Sequence, residues 1–163
     1  MKLTAFTDFS LRVLMYVGLQ DGAKATVAGM ASDFGISGHH LTKVVHFLGK
    51  AGLLCNVRGK GGGVTLAQPA GRIRLGQVVR LTEGSAVAAE CFEPGGGDCC
   101  LAPACRLRDV LGEAFEAFYA SLDRHTLADL LVDRSVLQSL LPAAGWVVLR
   151  ESPRTAPASR GVA

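Results

Sequence analysis

No run of about 18 consecutive apolar residues occurs in this 163-residue chain, so the sequence offers no membrane-spanning helix and no membrane partner is expected. The opening MKLTAFTDFSLRVLMY has only Lys2 ahead of Asp8 and is broken by polar residues. It lacks the charged and apolar blocks of a secretory signal, and a cytoplasmic location is expected. No GxxxxGK[ST] run is present; GKGGGVT has the wrong order and β-prone residues on both sides. A phosphate loop is thereby excluded. Ser/His/Asp sets, paired acids in a pocket order and internal repeats are also missing, so the chain does not read as an enzyme. Charged residues are 19% of the chain and hydrophobic ones 49%, which fits a globular protein.

Charge of one sign is also scarce in each half. Residues 1–80 hold ten Lys/Arg and three Asp/Glu, a balance of +7; residues 81–163 hold seven and eleven, a balance of −4. A basic front and an acidic back suit a DNA-binding module followed by a partner-binding one. Ordinary scatter of surface charge would look similar, so the patterning of the front half has to decide.

That patterning is helical at first. Residues 7–19 read as a helix capped by Thr7, with Asp8 in its first turn and Leu11, Leu14 and Val17 on one side. Thr26 caps a short second helix through Val27, Met30, Ala31 and Phe34, which Gly35 stops. Ser37 then caps a third, in which Leu41, Val44, Val45 and Leu48 recur at i, i+3, i+4, i+7. Helix, glycine turn and capped helix make a helix-turn-helix. The opposite face of the third helix carries His39, Thr42, Lys43, His46 and Lys50, with His40 beside them and no acid. Such a face suits a DNA major groove.

Two β-prone runs, Leu53–Val57 and Val64–Ala67, flank Arg58-Gly59-Lys60-Gly61-Gly62-Gly63. This is a hairpin with a basic glycine-rich tip, a wing whose Arg58 and Lys60 would meet the minor groove or phosphates. Leu75–Leu81 reads as a linking helix. Pro103 suits the first turn of a long helix to about Leu122, with an apolar stripe through Leu107, Val110, Leu111, Phe115 and Phe118. One small core cannot bury that stripe, and a partner subunit is its natural cover. Thr126 caps a further helical stretch up to Pro142.

Between these helices lies CFEPGGGDCCLAPAC, which gathers Cys91, Cys99, Cys100 and Cys105. In a reducing compartment such thiols serve as ligands or sensors rather than structural disulfides. They suit a soft metal centre. Zinc would be held by three Cys with Asp or a fourth Cys, although paired CxxC knuckles are absent. Cys99 and Cys100 would also serve a cluster-free thiol switch. Cys55, in LLCNV, reads as a small buried hydrophobe.

The opening LTAFTDFSLRVLMY, the wing VRGKGGG with the following IRLGQVVR, then CCLAPACRL and HTLADL together resemble the NsrR/IscR family of bacterial iron–sulfur winged-helix regulators, within the Rrf-two superfamily. The resemblance covers roughly residues 1–133 and is closest to the nitric-oxide-sensing repressors of that family. It implies a mainly α fold with a small β-wing: a winged helix-turn-helix plus a long dimerisation helix. Residues 1–83 would be the DNA-binding domain, 84–104 the cysteine-rich cluster loop and 105–141 the dimerisation helix and following helical segment; the tail at 142–163 is expected to be disordered from its composition. The implied protein is a homodimer on an inverted-repeat operator in double-stranded DNA. Its iron–sulfur cluster would be held by Cys91, Cys99 and Cys105, with Cys100 as an alternative ligand and Asp8 of the partner subunit as the fourth.

The wider gap between Cys91 and Cys99 falls in Gly95-Gly96-Gly97. The two-iron branch uses a histidine three residues after the last cysteine; here that residue is Arg108. A 4Fe-4S cluster is therefore expected over 2Fe-2S, with nitric oxide as effector. A regulator of iron–sulfur assembly or redox stress is an alternative, and an iron–sulfur electron carrier a more distant one.

Overall fold

In the computed structural model, which describes residues 2–20, 22–57, 59, 61–84, 92 and 99–141, the first helix begins one turn earlier than expected. Thr4, not Thr7, is its cap: Thr4 Oγ1 accepts the Thr7 N–H at 3.2 Å, and α1 spans Ala5–Leu19. Thr7 is fully buried, because its hydroxyl donates to Thr82 Oγ1 at 2.9 Å, 75 residues away. Helix α2 spans Val27–Phe34. Thr26 caps it by accepting from Gly29 N–H at 3.0 Å, and Gly35 ends it at φ +62°. In that left-handed region a side chain is disfavoured. Helix α3 spans Gly38–Lys50 and buries Leu41, Val44, Val45 and Leu48, the stripe its sequence spells out.

These stripes meet in one core with Val13, Leu14, Tyr16 and Val17 of α1 and Met30 of α2. Each fully buried Leu or Val stabilises by about 1.5–3 kcal/mol. The buried Tyr16 hydroxyl donates to Asp33 Oδ2 at 2.8 Å. Burial first, and Asp33 second, push the phenol above its ordinary value, so it stays protonated.

The wing is an antiparallel pair, β1 Leu54–Val57 and β2 Gly63–Leu66, with Leu54 opposite Leu66 and Val57 opposite Gly63. Ala25 bridges to Val64 through two backbone hydrogen bonds of 3.0 and 2.8 Å, so the α1–α2 connection adds a third chain at the wing's base. Strand alternation buries Leu54 and turns Cys55 outward. The expectation of a buried Cys55 is therefore wrong: its apolar neighbours face the core, and it does not.

A 3-10 turn at Ala70–Arg72 leads to α4, Leu75–Glu83, which buries Leu75, Val78 and Val79 and stops at Gly84 with φ +60°. Pro103 belongs to a separate 3-10 turn, Ala102–Ala104, and not to the long helix. Helix α5 starts after Cys105 and spans Arg106–Asp123. Helix α4 lies against its far end. Arg80 grips Asp123 with two bonds of 2.9 and 2.7 Å and stacks on Tyr119 at 4.6 Å. Gly76 is needed there, since a Cβ would run into the Asp123 carboxylate.

Beyond α5 the chain returns to the core as two short pieces rather than one capped helix. A 3-10 turn at Ala128–Leu131 precedes α6, Arg134–Leu140. Thr126 donates its N–H and hydroxyl to Asp129 Oδ2 at 2.7 and 3.0 Å, the reverse of the expected cap. Leu127 N–H donates to Ile73 O, and Leu127 and Leu131 fill the core beside Gly18. Arg134 and Gln138 donate to the last carbonyls of α1, Gly18 O at 3.0 Å and Leu19 O at 2.9 Å. The tail at 142–163 lies outside the described residues. No described helix is long and apolar enough to cross a membrane.

Candidate functional site

Burial of its apolar stripe fixes which way α3 faces. Ser37 takes the cap position but makes no capping side-chain bond; with His39, His40, Thr42, Lys43, His46 and Lys50 it is exposed. The Thr42 hydroxyl donates back to Gly38 O at 2.7 Å, leaving its oxygen free to accept. The seven residues form one face with no acid on it. Phe6 and Phe9 of α1 brace the helix from behind: Phe6 meets Phe47 edge-on at 5.2 Å, and Phe9 stacks on His40 at 6.4 Å.

Arg58 and Lys60 lie outside the described residues. Their neighbours Gly59 and Gly61 hold φ +98° and +78°, so the tip turns in a conformation that suits glycine. Lys24 ties this tip down, its ammonium donating to Gly61 O at 2.9 Å. Gly63 allows the approach, since a Cβ there would collide with Lys24 and the Ala25 carbonyl. Sequence reasoning missed Lys24. The bridge beside it, Ala25 to Val64, is one residue long and carries no periodicity.

Cys99, Cys100 and Cys105 lie just ahead of α5 in the chain. Cys99 and Cys100 are exposed and Cys105 is half-buried just ahead of Arg106. None of the three is in a disulfide. Cys100, Leu101, Pro103, Cys105 and Leu107 line an open cavity of about 410 Å³. Cys91 lies outside the described residues. Its neighbour Phe92 rests on α5, with the Arg108 guanidinium 5.7 Å from its ring and Gly112 beneath. Among the described residues no three His, Cys, Asp or Glu side chains converge on one point. The donor set is nonetheless right for iron and sulfide: soft, reachable, unpaired thiols in a loop.

Asp8 sits half-exposed on α1. It holds Arg12 with bonds of 3.1 and 3.0 Å, and the two side chains are 46% and 49% exposed. Such a pair contributes about 0–1 kcal/mol, so the carboxylate is cheaply released for another partner.

Helix α5 completes the picture, because no described residue on it is buried; Leu107 and Val110 are 64% and 54% exposed. The profile of the Rrf2 family, described as an iron-dependent transcriptional regulator, matches residues 3–133. The chain belongs to the Rrf2 family. It is 48% identical over 142 residues to the HTH-type transcriptional regulator NsrR of Geobacillus kaustophilus, covering 86% of this chain and 97% of that one. It is 44% identical over 142 residues to NsrR of Halalkalibacterium halodurans, with the same coverage. Among solved structures, IscR of T. potens superposes with a TM-score of 0.67 at 24% identity over 85% of this chain and 91% of that one, a likeness of fold. This Rrf2 protein is thus a transcriptional regulator and not an enzyme.

Proposed function

We propose that this chain is a homodimeric, DNA-binding repressor that senses nitric oxide through an iron–sulfur cluster and releases its operator when the cluster reacts. One observation carries the reading: the chain joins an acid-free, exposed recognition face to a group of free thiols at the foot of an uncovered apolar helix. Its similarity to regulators named NsrR supports the choice of effector.

Cys91, Cys99 and Cys105 would hold a 4Fe-4S cluster, with Cys100 as the alternative to Cys99 and Asp8 of the partner subunit as the fourth ligand. When bound, the cluster supplies iron with a high affinity for nitric oxide, and its carboxylate ligand is the one most easily displaced. The remaining roles fall to the protein. Asp8 gives up a weak bond to Arg12 when it engages the partner. Phe6 and Phe9, on either side of it in α1, press directly on α3. A shift of the first turns of α1 therefore moves the recognition helix. Lys43 and His46 face base edges, while Arg58 and Lys60 meet the minor groove or phosphates. The apolar face of α5 is covered by the same helix of a second subunit.

Operator binding by cluster-loaded and cluster-free protein, prepared without oxygen, tests the reading. Tight binding by the loaded form and its loss on adding nitric oxide are expected. Equal binding by both forms contradicts it.

A further inference from the structure

The last turn of α4 is bonded to the first turn of α1. Thr4 donates its backbone N–H to Glu83 Oε1 at 2.9 Å and its hydroxyl to the same oxygen at 3.1 Å. Beside it, the Thr7 hydroxyl donates to Thr82 Oγ1 at 2.9 Å, and Thr82 donates in turn to Val78 O at 3.0 Å. The two elements are 75 to 79 residues apart in sequence. Burial tends to raise the Glu83 carboxyl pKa, but hydrogen bonding from the first turn of α1 outweighs it and holds it below its ordinary value. The carboxylate is thus the form this contact selects.

Position makes the contact more than a brace. Glu83 is the last residue of α4, and the cysteine loop leaves from Gly84. Thr4 caps the helix that carries Asp8, and Phe6 and Phe9 of the same two turns rest on Phe47 and His40 of α3. From the root of the loop to the recognition helix the path is therefore Glu83, Thr4, the first turns of α1, then α3. No other described side chain at the end of α4 makes a charge-assisted bond to α1, and such bonds are the strong ones.

We infer that Glu83 is a positioning residue that transmits the state of the cysteine loop to the recognition helix of the same subunit. This rests on the proposed function and adds a second input to it. Helix α1 would answer to the partner's cluster through Asp8 and to its own loop through Glu83. The two cluster sites of a dimer would then communicate through each α1.

Glu83→Ala removes the acceptor, and Glu83→Gln keeps one acceptor oxygen of the same reach. Operator affinity is measured for both variants and the natural protein, each loaded and cluster-free, with iron content and thermal midpoint as controls. In Glu83→Ala the ratio of loaded to cluster-free affinity should fall about fivefold or more, the scale of a coupling between sites. Cluster content should stay intact, and Glu83→Gln should recover most of the ratio. An unchanged ratio in Glu83→Ala overturns the inference. So does an equal loss of affinity in both forms, which marks Glu83 as merely structural. A natural protein with no difference between forms indicts the proposed function instead. Hydrogen exchange in cluster-free protein gives an independent test: Glu83→Ala should speed exchange of the α3 amides as well as the first turn of α1. Faster exchange confined to α1 would show that the path stops there.

Discussion

Cys55 is as reachable as Cys99 and Cys100, so exposure alone does not mark a ligand. Position does: Cys99, Cys100 and Cys105 share one loop, and Cys55 stands on the wing. Cys91→Ala, Cys99→Ala and Cys105→Ala should each abolish the cluster, and Cys55→Ala should leave it intact. Iron and sulfide assays on each purified variant check this; a full cluster in Cys99→Ala would move the ligand role to Cys100. Asp8→Ala should keep a cluster but weaken its effect on DNA, because three thiolates remain while the link to α1 is lost. A wild-type spectrum, operator affinity and nitric oxide response in that variant would reduce Asp8 to a partner of Arg12. At this scale the sequence was legible where a residue's role is local. Gly35 and Thr26 are readable because their bonds span three or four positions. Thr7 was misread because its bond partner, Thr82, is 75 residues away. Cys55 was misread because its neighbours' hydrophobicity says nothing of which way a strand residue points.

At the scale of elements, the acid-free face of α3 and the wing make different demands on DNA. Lys43→Ala should cost roughly 1–3 kcal/mol on the operator and relax specificity locally, as for a lost base contact. Arg58→Ala should weaken all sequences alike and lower the salt slope by about one unit if its partner is a phosphate. Binding curves on operator and random DNA across a salt series separate the two. The segment after α5 makes a stability prediction. Leu127 is fully buried against Gly18 and Ile73. Leu127→Ala should therefore destabilise by about 2–5 kcal/mol. Urea unfolding at fixed protein concentration measures it, and a change well under that range would mean the returning segment is not part of the core. Helices α1 to α4 and the hairpin were legible because each carries its own period and stop signal. The return of Leu127 and Leu131 to the core was not, because that stretch reads as a plain helical pattern and its break into two pieces is set by Ile73 and Gly18. Pro103 likewise fits a helix start, and only the 3-10 turn ahead of Cys105 shows that it belongs elsewhere.

Over the whole molecule, α4 is held on both sides, to α5 by Arg80 on Asp123 and to α1 by Glu83 on Thr4. Among its described residues helix α5 leaves its apolar side exposed, the face proposed to take a second subunit. Chemistry at the cysteine loop is proposed to be felt at α3. A nitric oxide titration of anaerobic, cluster-loaded dimer on labelled operator, with visible absorbance and anisotropy recorded from the same cuvette, tests that claim most directly. Loss of the cluster spectrum and release of the operator should advance together. Operator still fully bound after the cluster spectrum has gone would contradict it.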